Sequence, residues 1–175
     1  MIFNFNCFTD SYYIPKPKSK IKIVMPSSEK FFFQDEFIEF YYSKSAKVIC
    51  DGNSYSILYK DIKAEIRFNL KECSNIDREM YRFESIIDVH KKKGAEIDVN
   101  LINDKLNLMY GIICFLNGNK IASPCEFYIT DSTNYFIQGG ILFETFVSQE
   151  IQIEKEIMLN EILDFINSIN WNQSN

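Results

Sequence analysis

A single histidine, His90, stands among five cysteines, Cys7, Cys50, Cys73, Cys114 and Cys125, in a chain of 175 residues. Any Cys–His or Ser–His catalytic pair must therefore use His90. The densest short polar cluster is Thr130-Asp131-Ser132-Thr133, where Asp131 has the chemistry of a ligand or a base. A small hydrolase built on Asp131 and His90 is the enzymatic reading, and it requires the two side chains to meet. The competing reading makes His90 a partly buried structural residue and the cluster a hairpin connection, in which Asp, Ser and Thr bond neighbouring amides. No cysteines form a C-x-x-C pair or have zinc spacing, so buried free thiols are expected; Cys114 and Cys125 flank a hairpin as possible cross-strand neighbours. Paired catalytic carboxylates and a glycine-rich phosphate loop are not recognisable. The expectation is therefore a non-enzymatic chain with no catalytic residues, no metal, no cofactor and no small-molecule substrate.

Charge narrows the partners. With 19 basic and 24 acidic side chains the net charge is −5, which argues against a general nucleic-acid binder. Lys91-Lys92-Lys93 suits an acidic partner, lipid headgroups or the solvated last turn of a helix. The run from Glu144 to Asp164 is strongly acidic. Phe31-Phe32-Phe33 is expected in a loop, as a contact patch or packed against a helix end.

The elements that must position these groups follow from periodicity. Ile21, Ile23 and Met25 alternate with Lys20, Lys22 and Val24; Ile38, Phe40 and Tyr42 share a face; Val48 to Cys50 is a short strand turned back at Asp51-Gly52-Asn53 onto Tyr55, Ile57 and Tyr59. Ala64, Ile66, Phe68 and Leu70 alternate strictly with Glu65, Arg67, Asn69 and Lys71, so one face is buried and one is wet. The period then becomes helical: Ile76, Met80, Phe83, Ile87 and His90 form one stripe, with Ser74 or Asn75 as cap and Gly94 as left-handed terminator. Strands resume over Ala95 to Leu101, turning at Asn103-Asp104, over Leu106 to Leu116 as a central strand turned at Asn117-Gly118, over Cys125 to Ile129, and over Tyr135 to Phe143, where Gly139-Gly140 marks a bulge or a close approach. Met158, Ile162, Phe165 and Ile169 define a second helix over about residues 149–170. The order predicts an α+β fold, an antiparallel sheet with two main helices packed on it.

Length fits one domain, organised as an extended leader over 1–19, a single α+β domain over 20–171 and a tail over 172–175. Hydrophobic residues at 46% and charged residues at 25% are those of a globular domain and not of a disordered one. No run of about 18 apolar residues is present to span a membrane. Ile, Phe, Asn, Lys and Tyr make up 84 of 175 residues, against only three Arg; this is the mark of an A/T-rich genome.

A wider pattern carries a resemblance. Tyr110-Gly111-Ile112, Gly118-Asn119, Ala122-Ser123-Pro124, Phe127, Thr130-Asp131-Ser132-Thr133, Phe136 and Gly139 resemble the core signature of the GldD gliding-motility lipoproteins of Bacteroidota. Cys7 followed by Tyr12-Tyr13-Ile14-Pro15-Lys16-Pro17-Lys18 is similar to that family's mature N-terminus, and Asn170-Trp171 fits its end. The resemblance implies a protein acylated on Cys7, anchored in the cell envelope facing the periplasm, and partnered with other gliding and type IX secretion proteins, without enzymatic activity. The strand–helix order also resembles the small α+β sandwich of Mog1-like and PsbP-like proteins, which are adaptors. The chain as given shows no recognisable signal peptide: only six residues precede Cys7, none positively charged. A soluble protein-binding adaptor without lipid is the alternative. Thr130, Asp131, Ser132 and Thr133 are the expected partner-facing residues.

Overall fold

The computed structural model describes residues 25–118, 121–144 and 151–172. The leader with Cys7 and all of the expected strand at 21–25 except Met25 lie outside them. In chain order the elements are β1 (Lys30–Gln34), β2 (Ile38–Ser43), β3 (Lys47–Asp51), β4 (Ser54–Tyr59), β5 (Ala64–Glu72), α1 (Ile76–Lys92), β6 (Glu96–Asp104), β7 (Met109–Asn117), β8 (Cys125–Thr130), β9 (Tyr135–Phe143), α2 (Gln152–Ser168) and β10 (Asn170–Trp171). They form an α+β structure with two antiparallel sheets. The larger has seven strands in the order β3-β4-β5-β9-β8-β7-β6, and the smaller has the order β1-β2-β10.

Strict alternation places Ile66, Phe68 and Leu70 of β5 on one face of the large sheet, fully buried. That face also collects Phe127 and Ile129 from β8 and Ile137 and Ile141 from β9, and it is covered by α2 and the small sheet. The opposite face carries α1, whose Phe83 and Ile87 pack on Cys114, Tyr128 and Phe136. Cys114 and Cys125 therefore lie in different cores, on opposite faces, and both are free thiols. The Asn75 side chain caps α1 by accepting the Arg78 N–H at 2.9 Å. Gly94 ends it with φ +87°.

Three expectations are corrected. Phe31-Phe32-Phe33 is strand β1 and not a loop. Pairing with β2 stacks Phe33 on Phe40 at 4.8 Å and sets Phe32 beside Tyr41 at 5.1 Å; aromatic cross-strand pairs supply what the missing alternation does not. Leu106 and Leu108 belong to the turn between β6 and β7, where Asp104 accepts the Leu106 and Asn107 N–H groups and Leu106 is 95% exposed. Gly139-Gly140 is a close approach with no bulge: register with β5 runs unbroken through Phe68↔Gly139 and Arg67↔Gly140, and a Cβ at Gly139 would fall on the Arg67 carbonyl oxygen and on the Phe68 Cβ. Of the small sheet only its middle strand β2, at Ile38, Phe40 and Tyr42, shows in the sequence pattern.

Candidate functional site

The polar cluster connects β8 to β9 and is closed on itself. The Asp131 Oδ1 atom accepts the backbone N–H groups of Thr133, Asn134 and Tyr135, each at 2.9 Å, and Oδ2 accepts the Thr133 hydroxyl at 2.8 Å. Thr130 Oγ1 donates to the Tyr135 carbonyl at 2.7 Å and accepts the Ser132 N–H at 3.0 Å. Ser132 takes φ +69°, a left-handed conformation held by these bonds. Burial raises the proton affinity of the Asp131 carboxyl, but the backbone and hydroxyl donors outweigh it and hold the group below its ordinary range. Asp131 is thus the builder of a turn.

Asp131→Ala is expected to lower stability by about 1–3 kcal/mol at pH 7, because several N–H donors lose their acceptor. A carboxyl held low when folded stabilises above its unfolded value, and this contribution fades as pH falls through the folded one. Denaturation curves should therefore show the gap between the variant and the parent closing below about pH 4. A gap constant down to pH 2 would mean that the carboxylate charge is not what holds the turn.

The turn has neighbours at the same end of the sheet. The Cys73 N–H donates to the Asn134 carbonyl at 2.8 Å, which ties the turn to the segment leading into α1. Beside this segment opens a cleft of about 570 Å³, lined in part by Phe37, Lys71, Glu72, Arg78, Glu79 and Arg82. A smaller cavity of about 340 Å³, bounded by Ser74, Asn134 and Tyr135, shares Glu72 and Cys73 with it. Glu79 is 2% exposed and gathers three cations: Lys71 Nζ at 3.0 Å, Arg82 Nη1 at 2.6 Å and Arg78 Nε at 3.5 Å. Burial alone would raise the Glu79 carboxyl, but Lys71, Arg82 and Arg78 bring it below its usual range. Each cation is about half exposed, so donors not engaged by Glu79 remain available to the cleft. Arg78 and Arg82 are two of the three arginines of the chain, and a guanidinium suits planar carboxylate or phosphate groups. The Cys73 thiol here is pushed up, first by burial and then by Glu79, the opposite of an activated nucleophile.

His90 lies elsewhere. It sits in the last turn of α1, with Nε2 3.9 Å from Glu126 Oε1 on β8. Ser123 Oγ donates to the same carboxyl at 2.6 Å. Burial, and then Lys93, depress the His90 imidazole. Burial pushes the Glu126 carboxyl up to about 7, against the opposing Ser123 bond. Asp131 is five residues beyond Glu126 in sequence, roughly 15 Å further at strand rise. The structure does not bring Asp131 and His90 together, and the hydrolase reading loses its geometry.

The sequence singled out the turn but missed Lys71, Glu79, Arg78 and Arg82. The only signal for them was the scarcity of arginine. Ser123 appeared in the pattern without a role, and Glu126 not at all. Among the described residues no group of three or more His, Cys, Asp and Glu side chains is placed to hold a metal ion. No described helix is long and apolar enough to cross a membrane.

The model of the family described as gliding motility lipoprotein GldD matches residues 10–171. No curated protein and no solved structure matches the chain. Cys7 precedes the matched segment.

Proposed function

The chain belongs to the gliding motility lipoprotein GldD family, and from that premise we propose that it is a non-enzymatic, protein-binding component of the cell-envelope machinery of gliding and type IX secretion in Bacteroidota. In this reading acyl chains on Cys7 hold it at a membrane, with the folded part facing the periplasm. One acyl chain binds a membrane only marginally, so stable anchoring needs more than one. The partner-facing surface is the end of the large sheet where Thr130, Asp131, Ser132 and Thr133 stand beside the arginine-lined cleft. The observation that carries this is the sharing of one buried carboxylate, Glu79, by Lys71, Arg78 and Arg82. Three cations against the two carboxylates of the cleft, Glu72 and Glu79, leave it one net positive charge, which in an otherwise acidic chain fits an acidic side chain on another envelope protein.

The test replaces the family member of a gliding strain with this chain and with its Arg78→Glu variant. Arg78 is mostly exposed and makes only the longest of the three Glu79 contacts, so the variant should accumulate normally. Colony spreading and in-cell cross-linking to envelope proteins should each fall at least about tenfold, the scale of one lost charged contact. Full spreading with unchanged cross-links would remove the cleft from the interface. Cys7→Ser should move the protein from the membrane to the soluble fraction; unchanged fractionation would favour the soluble adaptor.

A further inference from the structure

We propose that the free edge of β6 is a strand-addition site for an extended segment of another protein, one in which aliphatic residues alternate with lysine or arginine. Among the described residues β6 pairs only with β7, along nine positions from Glu96↔Asn117 to Asp104↔Met109. Among the described residues its outer N–H and C=O groups have no sheet partner. Sheet edges of this length are normally blunted by proline, charged side chains and above all lysine, a bulge or a covering element; the charges of β6 are all acids, which repel an acidic strand and attract a cationic one. β6 has no Pro, Gly or Lys, and its register is unbroken.

The two faces of the edge differ in chemistry. On the α1 side stand Val99, 53% exposed, and Leu101, 82% exposed. They are bare although Ile97, earlier on the same face, packs against the α1 core; the helix rests mainly on β8 and β9. On the other side stand the acids Glu96, Asp98 and Asp104, with Asn100 and the partly buried Ile102 between Asp98 and Asp104. An added strand therefore meets exposed aliphatic side chains on one face and three carboxylates on the other. The period of two in any strand places its own aliphatic and cationic residues to match.

The same pattern argues against a second copy of this chain. Antiparallel self-pairing over all nine residues sets Val99 opposite Leu101 but also Glu96 opposite Asp104 at both ends, with each Asp98 on the same face. Like charges directly opposite destabilise a ladder. A cationic strand reverses that sign.

The test uses the purified chain and a short labelled peptide alternating lysine with valine, read by fluorescence anisotropy at low salt. Binding is expected. Leu101→Lys and Asp98→Lys should each weaken it at least about tenfold, and both are surface changes that the fold tolerates. Ile49→Lys on β3, the opposite edge of the sheet, should leave it intact. So should Arg78→Glu, which separates this site from the docking end proposed above. Absence of binding, equal binding of a glutamate–valine peptide, or indifference to Leu101→Lys would overturn the proposal. A dimer in sedimentation that Leu101→Lys dissolves would overturn it in favour of a second copy.

Discussion

Phe165→Ala is expected to lower the free energy of unfolding by about 3–5 kcal/mol, measured by chemical denaturation. The residue is 2% exposed and lies where three strands from both sheets meet α2. Its ring stands edge-on to Phe40 of β2 at 5.0 Å, tilted against Phe68 of β5 at 4.9 Å and edge-on to Phe127 of β8 at 6.2 Å. Removing it costs the transfer energy of the ring, and it also leaves a void that neither sheet can close without moving the other. Against a typical total stability of about 5–15 kcal/mol, this is a large fraction. A loss under about 1 kcal/mol would mean that α2 is not seated on these strands.

Glu126→Gln should remove a pH dependence. The Glu126 carboxyl is pushed up to about 7 from an ordinary 4.5, so the folded protein binds that proton more tightly than the unfolded chain. Its contribution is complete below about pH 4.5 and is lost as pH rises to about 7. At about 1.4 kcal/mol per pKa unit the loss is on the order of 3 kcal/mol. Glutamine keeps an acceptor for the Ser123 hydroxyl and cannot ionise. The variant should therefore be the more stable protein at pH 8 and nearly equal at pH 4.5. His90, depressed by burial and Lys93, acts in the opposite direction, with stability lost as pH falls below its unfolded value near 6.5. Its slope should persist in the variant. Equal stability of parent and variant at pH 8 would show that the carboxylate reaches water and is not desolvated.

Much of the fold was legible because period and burial agree. Ala64 to Leu70 reads as a half-buried strand, and Ile76 to His90 as a striped helix, and each is that element. The misreadings fall where hydrophobicity and burial part company. Leu106 and Leu108 are apolar, yet they sit in an exposed turn whose geometry Asp104 sets. Phe31 to Phe33 has no alternation, because a β2 rich in aromatics gives each of them a partner. A two-residue strand such as β10 lies below any period. The Asp131 turn was readable from Asp, Ser and Thr between two strands, since its bonds span only a few residues. The cleft was not readable. It joins Lys71 on a strand to Glu79 and Arg82 on a helix, and His90 meets Glu126 across 36 positions of sequence. Local pattern holds no record of such encounters.

The small sheet has a consequence for the order of manufacture. β2 is paired on one side by β1, which precedes it directly, and on the other by β10, which is made far later; the Asn170 amide reaches the Glu39 carboxylate across 131 residues of sequence. Trp171, stacked on Tyr135 at 5.8 Å, and Phe165, wedged among three strands, arrive equally late. This side of the core therefore cannot close until residues 165–171 have been made, and closing a loop of 131 residues is slow. Until then β2 has neither α2 nor β10 against it. That is the condition in which a polypeptide can still be passed lengthwise through a narrow opening.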